Sequence, residues 1–166
     1  MEYLRVCDRP PTFTGDGKRL CACVGSDVRL FSAASGQLVC VLRGHTAEVT
    51  AVVRAPASPR RLLTSSLDGT LREWEADGRL VRTLELPGPV VSFVAPGGVA
   101  RDLAIVAYNK GSGPAGKMVA YNLLKGKVVS SLHKFSGISA IAASADGALV
   151  GTFERHTVLL WGTEGK

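Results

Sequence analysis

His45, Thr64 and Asp68 bring an imidazole, a hydroxyl and a carboxylate into one short stretch of the chain. Those three groups could serve as base, nucleophile and orienting acid in a hydrolytic triad. No nucleophile elbow or oxyanion-hole pattern accompanies them, so the residues argue against acyl transfer. A second stretch, Gly111 to Met118, nearly spells the phosphate-binding loop G-x-x-x-x-G-K-[ST] and follows the apolar run Leu103–Tyr108. Met118 stands where a magnesium-ligating hydroxyl is needed, and the residues after it alternate like a strand instead of opening a helix. The stretch is expected to be a flexible insertion, not a nucleotide site. Four cysteines, Cys7, Cys21, Cys23 and Cys40, form no CxxC pair or Cys/His zinc pattern. Cys21 and Cys23 are two apart and would share one face of a strand. They are expected as reduced thiols in or beside a core, which implies an intracellular protein. The acidic residues are too dispersed to name an acid/base pair. No catalytic residue, metal site or cofactor is expected.

Composition sets the limits around these residues. The chain has 166 residues, 46% of them apolar and 20% charged, with 19 glycines, which suits a folded rather than disordered chain. Its formal net charge of +6 fits RNA, DNA or acidic protein partners, and equally fits ordinary solubility charge. Arg54, Arg60 and Arg61 bracket a Pro-rich loop over residues 55–59, and Lys125, Lys127 and Lys134 flank a later apolar run. These six are the candidate partner or RNA contacts, since connecting segments commonly carry them. No aromatic residues interleave with them, so a base-stacking surface is not indicated. No apolar run approaches the ~18 residues of a membrane span, and the N-terminal residues lack a secretory apolar stretch.

The elements that must position these residues repeat along the chain. Phe31, Trp74, Tyr121 and Trp161 each close a short alternating run, at intervals of 43, 47 and 40 residues. A second mark keeps the same phase: a Gly-x-apolar-Val-x-x-Leu pattern begins at Gly36, Gly78 and Gly126. Glycine supplies the positive φ of a hairpin turn, and the alternation after it is the period of a strand. Polar turns such as Gly15-Asp16-Gly17, Asp68-Gly69 and Asp146-Gly147 separate the runs. No sustained helical stripe is present, so the chain reads as all-β, a meander of antiparallel strands. Four units are expected, at about 1–43, 44–86, 87–134 and 135–166.

The second unit resembles a WD repeat nearly end to end. It opens on Gly44-His45, carries the tight turn Leu67-Asp68-Gly69-Thr70, and closes on Trp74-Glu75 where Trp-Asp is usual. The other units fit less fully. Phe31 replaces the Trp in the first; the third lacks the Gly-His pair and the turn Asp; the fourth has Trp161 followed by Gly162. The resemblance implies a β-propeller, with these units as about four blades of a larger, seven-bladed ring. It also implies that His45, Thr64, Asp68 and Trp74 form a structural hydrogen-bonded tetrad tying the loop before the blade to its third strand. Four blades alone make an open arc with exposed apolar faces. A fragment of a longer propeller protein, poorly soluble by itself, is therefore expected, with a partner supplying the missing blades as the alternative.

The order Phe13 to Arg19, Gly25 to Phe31, Val41 to His45 and Ser65 to Trp74 is also similar to the start of WD-repeat components of the small-subunit processome. That likeness implies a non-enzymatic scaffold supporting pre-rRNA transcription and processing in the nucleolus. Its partners would be protein subunits of a large ribonucleoprotein assembly and pre-rRNA, with no membrane and no small-molecule substrate. The rival is a WD-repeat substrate receptor of a ubiquitin ligase or another intracellular scaffold. Receptors of that type carry Trp-Asp-x-Arg, and neither Trp74-Glu75-Ala76-Asp77 nor Trp161-Gly162-Thr163-Glu164 supplies the Arg.

Overall fold

The computed structural model describes residues 9–95, 102–111, 113–144, 149–154 and 157–162. Among them every regular element is a strand. The first sheet joins β1 (Thr12–Phe13), β2 (Arg19–Val24), β3 (Asp27–Ser32) and β4 (Leu38–Leu42) in sequence order. The second joins β5 (Val49–Ala55), β6 (Ser58–Ser66), β7 (Thr70–Glu75) and β8 (Leu80–Glu85) in the same way. The third holds β9 (Val90–Val94), β10 (Leu103–Asn109), β11 (Ala115–Asn122) and β12 (Lys127–Ser136). The fourth holds β13 (Ile138–Ala143), β14 (Leu149–Glu154) and β15 (Thr157–Gly162). All pairings are antiparallel, and the four sheets stack in chain order as four blades of a β-propeller.

Alternation along the strands explains the stacking, because each sheet has two apolar faces to cover. Cys21, Cys23, Val28, Leu30 and Leu42 of the first sheet pack on Val49, Val52, Leu62 and Trp74 of the second. The opposite face of the second, through Leu63, Leu71 and Leu84, meets Val90, Phe93, Val106, Val119 and Tyr121 of the third. The third sheet turns Ile105, Met118, Ala120 and Phe135 toward Ile141 and Val150 of the fourth. The Cys21 thiol is free and buried, and burial pushes its pKa up to about 12.

Gly36, Gly78 and Gly126 turn the third strand of each of the first three sheets into the fourth, at φ of 69°, 103° and 62°. Two loops differ from expectation. The Pro-rich stretch is a two-residue turn, because Ala55 already pairs with Ser58 and β6 begins there. Pro59 then falls at a register shift of the β5–β6 ladder, where a missing N–H breaks no regular bond. The segment after Asn109 is a hairpin, not a loose insertion: Lys110 N–H donates to the Ala115 carbonyl over 2.9 Å. The longer repeat interval arises partly from β11, which has eight residues where β3 and β7 have six. Asp146, Gly147, Arg155 and His156 lie outside the described residues, as does Cys7.

Candidate functional site

The second sheet gathers the residues that looked most like chemistry. His45 precedes β5, Thr64 lies on β6, Asp68 in the β6–β7 turn and Trp74 on β7. His45 Nδ1 is 2.8 Å from Asp68 Oδ2, and His45 Nε2 is 2.7 Å from Thr64 Oγ1. The Trp74 indole Nε1–H donates to the same hydroxyl over 2.9 Å. With a neutral imidazole the protons balance: Nδ1–H donates to Asp68, and Nε2 accepts from Thr64, which itself accepts from Trp74. Asp68 is further held by the Thr46 and Thr70 backbone N–H groups and by the Thr70 hydroxyl at 2.7 Å. The His45 and Trp74 rings meet edge-on, with centroids 6.4 Å apart.

The electrostatics follow from burial. Removal from water is the largest influence on His45 and pulls its pKa down, with Arg72 adding to this and Asp68 opposing it. Burial also pushes Asp68 upward, but the hydrogen bonds from Thr70, His45 and Thr46 outweigh it and leave the carboxyl below its ordinary range. A hydrolytic role needs a hydroxyl that can reach a substrate. Thr64 is 0% exposed and its oxygen is occupied by both His45 and Trp74. The arrangement clamps the β4–β5 loop to β6 and β7, and offers no space for attack.

Gly116 and Lys117 of the phosphate-loop-like stretch are residues of strand β11, paired with Asn109 and Tyr108. Because no helix begins there, the stretch lacks the N-terminal amide cradle an anion loop uses. Among the described residues no His, Cys, Asp and Glu group has metal-ligand geometry.

The six candidate contact cations do not form one patch. Arg54, Arg60 and Arg61 lie near the β5–β6 turn, and Lys125 and Lys127 in or beside the β11–β12 turn. In an antiparallel meander those turns share one end of the blades, and Lys134 lies at the other end of β12. Arg61 is already engaged, its Nε 2.8 Å from Glu75 and its Nη1 3.3 Å from Glu73. Arg54, Arg60, Lys125, Lys127 and Lys134 are exposed.

Three features were missed in the sequence. Glu73 is buried and bridges Arg61 and Arg82, at 2.6 Å from Arg82 Nε. A straight ladder out of the Trp74–Leu80 pair would place Val81 opposite Glu73, and a register shift between Glu73 and Trp74 brings Arg82 there instead. Thr50 joins two blades, with its hydroxyl 2.7 Å from Ser65 Oγ and donating to the Val90 carbonyl over 2.9 Å. Lys117 stood out only as the lysine of the phosphate-loop-like stretch, and its position opposite Lys134 across β11 and β12 was not foreseen.

Antiparallel blades, four-stranded in the first three, define a β-propeller, and the buried His–Thr–Asp–Trp network builds its second blade in the manner of a WD repeat. Residues 36–75 match the family described as WD domain, G-beta repeat. The chain is similar to WD repeat-containing protein 75 of Mus musculus, at 29% identity over 93 residues, 55% of this chain and 11% of that protein. The Xenopus laevis protein of the same name is 33% identical over 76 residues, 45% of this chain and 9% of that protein. The Ribosome biogenesis protein BOP1 homolog of Caenorhabditis elegans is 37% identical over 68 residues, 40% of this chain and 10% of that protein. In each case the matched region spans about a tenth of the relative's length.

Proposed function

We propose that the chain is a non-enzymatic scaffold in ribosome biogenesis, acting within the small-subunit processome of the nucleolus. The observation that carries this reading is the similarity to WD repeat-containing protein 75 in several vertebrates, joined by a relative named for ribosome biogenesis. The processome itself rests on the resemblance of the Phe13–Trp74 region set out above. The mechanism is geometric: rigid blades hold loops at two ends and a rim, so several partners can be engaged at once. His45, Thr64, Asp68 and Trp74 serve this role structurally, by fixing the β4–β5 loop. Exposed Arg54, Arg60, Lys125 and Lys127 at one end, and Lys134 at the other, are the proposed contacts to protein and pre-rRNA, with Arg61 held in place by Glu73 and Glu75.

Affinity purification of the protein from cells, with identification of the recovered proteins and RNA, tests the proposal. Pre-rRNA and processome subunits retained at moderate salt are the expected result. Recovery of a cullin adaptor without ribosomal precursors would move the chain to the ubiquitin-ligase receptors.

A further inference from the structure

One position can be compared through three successive blades, at the end that carries the β2–β3, β6–β7 and β10–β11 hairpins. In the first blade Asp27 opens β3 and meets Arg43, with Arg43 Nε 3.7 Å from Asp27 Oδ2. In the second, Thr70 opens β7 opposite Glu85, and its hydroxyl bonds Asp68. In the third, Lys117 of β11 lies directly opposite Lys134 of β12. Opposite charge, then a neutral and an acidic residue, gives way to two like charges in register. Such a pair destabilises a sheet unless something negative lies between the ammonium groups.

Among the described residues no carboxylate comes within 4.0 Å of the ammonium of Lys110, Lys117 or Lys134. Glu154 is engaged by His133 at 3.5 Å and by the Ser136 N–H at 2.6 Å. His133 alternates with Lys134 along β12, which puts that contact on the other face of the strand. Lys110, exposed at the start of the β10–β11 hairpin, adds a third cation. An edge strand often carries lysine to block intermolecular pairing, which accounts for Lys134 on β12. It does not account for Lys117, because β11 is an inner strand paired on both sides.

We propose that Lys117 and Lys134, with Lys110 beside them, clamp the phosphodiester backbone of an RNA strand crossing this end of the third blade. The choice of RNA over DNA rests on the ribosome-biogenesis reading; the anion site rests on the geometry. The adjoining pair on the same face, Ala115 opposite Ser136, offers no large apolar anchor of the kind that dominates protein–protein affinity. Tyr108, beside Lys117, is buried and cannot stack on a base. Contact is therefore with phosphates and independent of sequence.

The test is fluorescence anisotropy of a labelled 20-nucleotide single-stranded RNA of mixed sequence, titrated with the full chain over a KCl series. Neutralising two phosphate contacts predicts that the Lys117→Gln/Lys134→Gln double variant loses about 1.4 from the slope of log affinity against log salt. Lys18→Gln/Arg79→Gln, which removes the same charge at the opposite end, is expected to keep the original slope. Lys117→Gln alone is expected to raise the Tm at low salt by relieving the repulsion, which separates lost binding from lost folding. Equal slopes for the two double variants, or no RNA binding by the unaltered chain, would overturn the site. Equally effective competition by a 20-residue polyglutamate would also overturn it, in favour of an acidic protein. The affinity purification is read independently: processome subunits recovered without this RNA contact would leave the scaffold reading in place.

Discussion

His45 is a neutral imidazole between an anion and a hydroxyl, and its contribution to stability depends on remaining neutral. His45→Ala would leave the Asp68 carboxylate and the Thr64 hydroxyl without their ring partner, in a site with almost no access to water. Losing the partner of a buried polar group costs about 1–3 kcal/mol, so urea unfolding should show a drop of that size. An unchanged midpoint would remove the structural role of the network. The pH dependence has a definite sign. Because burial lowers the pKa of His45 from its ordinary 6.5, the unfolded chain takes up a proton first as pH falls. The stabilisation is therefore complete above about pH 6.5 and is lost as pH drops through the folded value. Asp68, also lowered, begins to lose its contribution only at more acidic pH, below its ordinary 3.8. Wild type should have a lower urea midpoint at pH 5.5 than at pH 7.5, and His45→Gln should remove much of that difference. A variant retaining the full difference would assign it to other groups.

At the level of the element, the glycine turns carry different loads although they share one sequence pattern. Gly78 has φ of 103°, and a Cβ there would lie 2.5 Å from Cys40 Sγ of the neighbouring blade. Gly126 has φ of 62°, near the left-handed helical region that side chains reach at moderate cost, and its nearest neighbour would be Leu84 Cδ2 at 3.5 Å. Gly78→Ala should therefore destabilise by more than ~1 kcal/mol, and Gly126→Ala by about 1 kcal/mol or less, as read by thermal melting. Reversal of that order would show that the blade-to-blade contact at Cys40 yields easily. The glycines themselves were legible because a hairpin needs positive φ at a fixed offset from an alternating strand. The Gly78–Cys40 contact was not, because it joins residues of different blades. Lys117 and Lys134 show a second limit. A straight ladder out of the Asn122–Lys127 pair would place Leu132 opposite Lys117, and two register shifts in β12 bring Lys134 there instead. Bulges leave no reliable mark in the sequence, so the like-charge pair emerged only with the fold.

For the whole molecule, the decisive feature is the face of the fourth sheet turned away from the third. Ile141, Val150 and Thr152 point inward to the third sheet and are buried. The opposite face pairs Ala140 with Phe153 and Phe153 with Val158, then Ala142 with Gly151 and Gly151 with Leu160. These rows bear no charge, and Val158 and Leu160 remain 64% and 72% exposed. In the earlier sheets the corresponding face is covered by the next sheet, whose first strand, β5, β9 or β13, lies against it. Burying a Val or Leu side chain is worth about 1.5–3 kcal/mol, so two uncovered rows give a strong drive to association. The 166-residue chain alone is accordingly expected to self-associate at micromolar concentration in sedimentation velocity. Leu160→Lys should shift it toward monomer with an unchanged far-UV spectrum, because the substituted side chain already points outward. A monodisperse monomer that melts cooperatively without any substitution would show that this face tolerates water, and would count against these blades being part of a larger ring. Self-association relieved by Leu160→Lys would instead identify the face as a surface that requires cover, by another blade or by a partner.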